Sequence, residues 1–245
     1  MTIRITLAVT ARVLTQIRRD PRTLVMLLAV PSLLMWLLWW LYSASPMDLF
    51  PRIAPALLAL LPFVLMFLVT SVTTLRERTS GTLERALTTP MGKLDLIAGY
   101  GLAFGLVALV QTSIAIAVST LWLGLELEGS VWQFTLVAVL DAFAGTGLGL
   151  LVSAFARTEF QAVQFMPALI VPQIFLCGLL VPRDQLSGVL EALSNLLPLS
   201  YAVSAMNSLS MSADSGNVGR DIAVVLAFIV VFIVLGAATL RRRTQ

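Results

Sequence analysis

Long apolar runs separated by short charged stretches dominate this chain. A helix needs about 20 mostly apolar residues to cross roughly 30 Å of hydrocarbon. Runs of that length fall at 24–42, between Arg22 and Asp48, and at 53–75, between Arg52 and Arg76. Asp95 and Glu126 bound a longer run, 96–124. The fourth, 131–156, contains one acid, Asp141; the fifth, 160–181, ends at Arg183; the sixth, 222–240, ends at Arg241. The pattern predicts an all-α membrane protein with six transmembrane helices, forming a single domain over residues 1–245.

Three polar pieces carry a second, shorter pattern. In residues 3–19, Ile3, Leu7, Val13, Leu14 and Ile17 recur at roughly helical spacing among Arg4, Arg12, Arg18 and Arg19. Such a basic amphipathic helix suits the membrane surface, and Pro21 then turns the chain into the first span. The loop 76–95 reads RERTSGTLERALTTPMGKLD. Thr79 or Ser80 can cap a short helix through Leu83 and Leu87 that Pro90 stops. In 183–220, Leu186, Val189, Leu190, Leu193, Leu196 and Leu197 make one apolar stripe, ended by Pro198. It predicts an amphipathic helix at or dipping into the outer interface, followed by a second short helix from Tyr201 to about Leu209.

The basic residues orient the bundle. With the N-terminus cytoplasmic, only Arg52, Arg183 and Arg220 of the 16 Lys and Arg lie outside, a strong positive-inside bias. All five tryptophans (Trp36, Trp39, Trp40, Trp122 and Trp132) fall toward the outer ends of spans, as half of an aromatic belt. Both termini are therefore expected inside. A secretory signal over 1–45 is the competing reading. It would need a short basic region and a 7–15-residue apolar run, whereas a polar-rich segment here precedes a longer run with three Trp.

Composition sharpens the picture. Hydrophobic residues make up 58% and charged residues 12%, against about 45–50% and 25% in soluble domains. The mean hydropathy of +0.94 agrees. There is no histidine, so His triads, His metal sites and imidazole proton relays are excluded. The single cysteine, Cys177, excludes an intrachain disulfide and a Cys-rich metal cluster. The single lysine, Lys93, follows Gly92, but Leu87 and Leu94 stand where a P-loop needs Gly and Ser or Thr. No cofactor is expected on this chain.

Within the spans, Asp141 is the only acid, and a charge at mid-membrane costs roughly 2.5–3.5 kcal/mol on insertion scales. It reads either as a pathway, cation or proton site or as a protonated, hydrogen-bonded tie between helices. Gln111, Gln161, Gln164 and Gln173 either touch a substrate or bridge helices. Gly145, Gly147 and Gly149, and the Gly101-Gly105 pair, predict close helix packing. Pro31, Pro55, Pro62, Pro167 and Pro172 sit inside spans.

Taken together, these features resemble the permease subunit of type-2 ATP-binding-cassette exporters, the group that includes the daunorubicin-resistance and sodium-export permeases. Three stretches carry the resemblance. Arg76-Glu77-Arg78, then Gly81-Thr82-Leu83-Glu84 and Thr89-Pro90, is similar to the family's R-E-x-x-x-G-T-x-E…TP loop after the second span. Phe175 to Pro182 is similar to F-L-S-G-x-x-x-P, with Cys177 in place of Ser. Leu197-Pro198-Leu199-Ser200-Tyr201 resembles the N-P-L-T-Y element before the last span.

The resemblance implies a half-transporter. The loop after the second span would form a coupling helix seated in a separate ATP-binding subunit, which would hold ATP and Mg. Glu77, Gly81, Thr82, Glu84 and Arg85 would lie at that contact, with Arg157 and Glu159 forming a smaller second one. The 186–197 helix would match the family's extracellular re-entrant element. A homodimer, or a heterodimer with a sister permease, would complete the pathway in a bacterial cytoplasmic membrane. The expected substrate is a hydrophobic drug, lipid or amphipathic peptide. Asp141 belongs to no motif of the family. The rivals are a secondary carrier or channel built on Asp141, an intramembrane enzyme, and a sensing or assembly subunit.

Overall fold

A computed structural model describes residues 2–43, 49–81, 92–211 and 217–239. They form nine α-helices: α1 (Ile3–Arg19), α2 (Pro21–Tyr42), α3 (Phe50–Thr79), α4 (Lys93–Leu121), α5 (Val131–Val152), α6 (Glu159–Leu176), α7 (Gly188–Ser194), α8 (Pro198–Met211) and α9 (Val218–Thr239). No strand occurs among the described residues. Six of these helices, α2 to α6 and α9, are long and apolar enough to cross a membrane. The expected six-span, all-α membrane fold is therefore present. Thr82 to Met91, with the proposed coupling helix, lie outside the described residues.

A single residue, Asp20, turns α1 into α2. Its carboxylate accepts from the Thr23 amide at 3.2 Å and from the Thr23 hydroxyl at 2.7 Å. Pro21 opens α2, where a missing N–H costs nothing. The Thr23 hydroxyl, then the Thr23 amide, hold the Asp20 carboxyl below its ordinary range.

The core is built around α3 and α5. Their most apolar windows are 61% and 67% buried, against 17% in α2, α6 and α9. The glycines explain the closeness of the pair. Gly145 and Gly149, four apart, lie on one face of α5. A Cβ on Gly145 would run into the Phe63 carbonyl, and one on Gly149 would lie 2.6 Å from the Phe67 carbonyl. Gly147 points elsewhere, against Phe232 of α9. Of the Gly101-Gly105 pair only Gly105 is closely packed, against the Phe143 ring; the space beside Gly101 is open. That pair is therefore not a two-point helix contact.

The peripheral helices expose Leu33, Trp40, Leu106, Val163, Val230 and Val234, among others. Such a surface is suited to hydrocarbon and would associate in water.

The amphipathic element before the last span is shorter than its stripe predicts. The chain leaves α6 at Cys177 and turns through Gly178, whose φ is +94°. After Pro182 it makes a 3-10 turn over Arg183–Gln185, and only 188–194 is α-helix. Leu186 is extended, and a 93° bend separates α7 from α8. The cause is Pro198: it opens α8, so the helix cannot continue through Leu196 and Leu197. Val189, Leu193 and Leu196 are exposed, whereas Tyr201 to Val203 are buried in the core. The second helix is longer than expected, over Pro198–Met211.

Arg183 locks this corner. It donates to Asn195 Oδ1 at 2.5 Å and to the Ser200 carbonyl at 3.4 Å, and lies over the Tyr201 ring at 5.0 Å. The Tyr201 hydroxyl donates to the Asn195 carbonyl, and Ser194 donates to the Leu176 carbonyl. Two of the three recognition stretches thus meet at one arginine.

Candidate functional site

At the arginine-rich end of the bundle, α1 lies along α4 and reaches α3. Its buried face is Thr6, Val9, Thr10 and Val13, not the full apolar set read from the sequence; Ile3 and Leu7 remain exposed. The threonines make this face specific. Thr10 donates to the Gly99 carbonyl at 3.1 Å. Asp95, buried in the first turn of α4, accepts from the Thr2 amide at 2.7 Å and the Thr6 hydroxyl at 3.3 Å. It also accepts from the Gly92 amide at 3.1 Å, so one carboxylate caps α4 and holds α1.

Six residues beyond Thr6 on α1, Arg12 reaches both α3 and α4. Its Nη2 donates to Glu77 Oε2 at 2.8 Å and to the Tyr100 hydroxyl at 2.9 Å. Tyr100 donates in turn to Glu77. Glu77 is only 7% exposed, so it faces inward, beneath α1. A buried carboxylate requires such partners, because an unpaired charge there is costly. Arg12 and Asp95 thus fasten α1 to the last turns of α3 and the first turn of α4, the two ends of the segment 82–91.

Gly81 follows the end of α3 at Thr79 and its C-cap Ser80. Its φ of +72° is a left-handed conformation that favours glycine, as at many helix C-termini. Thr82, Glu84 and Arg85 lie outside the described residues. Arg76 faces away from Glu77 and clasps Glu159, with Nε to Oε1 at 2.8 Å and Nη2 to Oε2 at 3.0 Å. Glu159 opens α6, and Thr158 caps that helix by accepting from the Gln161 amide. Arg157 is exposed, and its backbone N–H is held by the Gln161 side chain at 2.8 Å. The loop after the second span and the loop after the fourth are therefore joined through Arg76 and Glu159.

The chain matches the ABC-2 type transporter family over residues 5–211. It belongs to that family. It is 28% identical over 186 residues to the probable multidrug ABC transporter permease YbhS of Escherichia coli, covering 76% of this chain and 48% of that protein. To YbhR of the same organism, another probable multidrug ABC transporter permease, it is 27% identical over 149 residues, 61% of this chain and 40% of the relative. ABC transporter G family member 20 of Dictyostelium discoideum is 27% identical over 159 residues, 65% of this chain and 22% of that protein. The chain spans about half or less of the length of these curated relatives.

The intramembrane candidates are not gathered at this site. Asp141 is fully buried on α5, and neither carboxylate oxygen has a hydrogen-bond partner. It lies one helical turn before Gly145, on the face of α5 that meets α3. Gln111 is fully buried on α4, with its amide oxygen and nitrogen both unpartnered. Gln173 is buried and donates back to the Leu169 carbonyl at 3.0 Å, whereas Gln164 is exposed on α6. Among the described residues no group of His, Cys, Asp and Glu could hold a metal ion.

Sequence reasoning missed Arg12, Tyr100 and Asp95. The available signal was Thr2, Thr6 and Thr10 at four-residue spacing, a polar stripe on the same helix as an apolar one.

Proposed function

We propose that this chain is the membrane-spanning subunit of an ABC exporter, driven by a separate ATP-binding subunit. The ATPase would grip the segment 82–91, with Glu84 and Arg85 as polar handles and Arg157 beside Glu159 as a second contact. The observation that carries this reading is the bracing of both ends of that segment. Glu77 is tied to Arg12 and Tyr100, Asp95 is tied to Thr2 and Thr6, and Arg76 is tied to Glu159. A push on the segment therefore reaches α1, α3, α4 and α6 together. Glu77 acts as a positioning residue, and Gly81 supplies the turn that releases the segment from α3.

No residue of this chain performs covalent chemistry in this scheme. ATP and Mg belong to the partner, and ATP biases the transporter only as far as it binds two states unequally. Two copies, or one copy with a sister permease, enclose the pathway. Both termini face the cytoplasm of a bacterial inner membrane, which agrees with the arginine distribution. The apolar interior and the multidrug permeases among the relatives favour a hydrophobic or amphipathic substrate such as a drug or lipid.

The test is cross-linking from cysteines placed at positions 84 and 85, together with transport assays of Glu84→Lys and Arg85→Glu. Capture of an ATPase, and loss of ATP-driven transport with the protein still inserted, is the expected result. Normal transport by both variants would overturn the docking site. Asp141, buried without a partner, favours a second reading as an ion-coupled carrier. Transport by the purified chain under an ion gradient, without ATPase, would select it.

A further inference from the structure

At the end of the bundle away from the braced segment, residues 123–129 lie between α4 and α5 and belong to no helix. Their burial alternates. Leu123 and Leu125 are buried and Leu127 is half-buried, whereas Gly124, Glu126 and Glu128 are exposed. A period of two is that of an extended chain with one face inward. The three leucines pack into the core cluster that also holds Leu209 of α8. The Leu125 amide donates back to the Ser119 carbonyl at 2.9 Å, which holds the extended piece to α4.

The far end of this piece meets α8. The Gly129 amide donates to the Leu209 carbonyl at 2.8 Å, and the Glu128 amide to the Ser210 carbonyl at 3.5 Å. A helix leaves its last four carbonyls without partners in its own backbone. Two of those of α8 are therefore capped by a segment that precedes α5 in the chain. A Cβ on Gly129 would lie 2.6 Å from the Leu209 carbonyl oxygen and 3.1 Å from its Cα. Both are backbone atoms, so glycine is what lets the two chains come this close.

We infer that 123–129 is a strap that bolts α8 to α4, and that Gly129 is a positioning residue for the corner after α6. The helix α4 is a continuous rod of 29 residues. Near its braced end, Asp95 and Tyr100 hold it to α1 and α3; its other end runs into the strap. At its own start, α8 carries Ser200 and Tyr201, on which Arg183 fixes the corner. A displacement at the braced segment therefore reaches the corner through α4, the strap and α8, which move as one body. That movement rests on the exporter reading; the strap itself does not.

The test uses Cys177, buried at that corner, as the reporter in the full chain. Gly129→Val should speed maleimide labelling of Cys177 about tenfold, the effect on local opening of losing roughly one hydrogen bond. Leu125→Ala, which leaves the backbone contact in place, should act in the same direction. Gly188→Ala should not, because a Cβ there meets nothing within 4 Å. Ala103→Cys in a Cys177→Ser background, buried in the cluster beside α1, reports general loosening and should stay slow with each change. Glu128→Cys and Met211→Cys, both at exposed positions, can be joined by a short bifunctional thiol reagent. Joining them in the Gly129→Val chain should restore slow labelling of Cys177, which a general packing defect would not permit. Unchanged labelling of Cys177 in both Gly129→Val and Leu125→Ala, or equal acceleration at positions 103 and 177, would overturn the strap. These measurements need no ATPase, so they judge the strap apart from the exporter reading. With an ATPase bound, Ser210→Cys in the Cys177→Ser background should stay shielded when ATP is added. Faster labelling at position 210 would mean that the strap lets go during the cycle, and would overturn the one-body movement.

Discussion

Arg76 and Glu159, 83 residues apart, form a two-point ion pair that ties the last turn of α3 to the first turn of α6. Both side chains are largely open, with 67% and 49% of their surface exposed. Exposed pairs contribute only about 0.2–1 kcal/mol, so this contact does little for stability. Its geometry matters more, because the planar guanidinium fixes the angle between two helix ends. We expect Arg76→Ala or Glu159→Ala to leave thermal unfolding almost unchanged but to lower ATP-driven transport. The exchanged pair, Arg76→Glu with Glu159→Arg, should recover part of it. Equal transport by the single variants and the parent would remove the bracing role.

The Arg12–Glu77 contact behaves differently, because Glu77 is buried. Removing Arg12 leaves a carboxylate with only Tyr100 beside it. Hydrogen bonds to charged groups are worth about 1.5–3 kcal/mol, so Arg12→Met should destabilise the fold by an amount of that order. Glu77→Gln should cost less in an Arg12→Met background than alone. A double-mutant cycle on detergent-solubilised protein, read by thermal unfolding, measures the coupling. Strict additivity would mean that α1 is not held by this pair.

The contrast between these two pairs also indicates what the sequence can reveal. Hydropathy locates spans because crossing a bilayer is a requirement of local length and composition, and all six are present. Pairings such as Arg12 with Glu77 depend on which helices become neighbours, and no spacing rule encodes a separation of 65 residues. Glu77 sits in a recognisable motif beside Arg76, yet one side chain turns inward and the other outward. The α7 stripe misled for a local reason: apolar periodicity continued across Asn195 to Leu197, while Pro198 had already set the corner. At 82–91 the resemblance alone supplies the coupling helix.

Glycines that look alike in the sequence should respond differently to substitution. Gly145→Ala would place a methyl against the Phe63 carbonyl, which belongs to the helix backbone and cannot rotate away. Overpacking of that kind costs about 1–3 kcal/mol. Gly101→Ala meets nothing within 4 Å and gains helix propensity, worth up to about 1 kcal/mol. The expected order of thermal stability is Gly101→Ala at or above the parent, with Gly145→Ala clearly below. Equal effects at the two positions would show that α3 and α5 are not packed as closely as described.

Cys177 stands where the family's motif has serine, and it is 1% exposed. Its thiol donates weakly to the Ile174 carbonyl at 3.4 Å, as a serine hydroxyl in its place could do. The thiolate is the reactive form, and the fold keeps this sulfur away from solvent, so at pH 8 maleimide should label the folded protein far more slowly than the unfolded chain. Cys177→Ser should leave the stability near that of the parent. Rapid labelling at pH 8 in the folded state would mean that the turn after α6 opens to solvent, and that the corner held by Arg183 is less firmly closed than its hydrogen bonds imply.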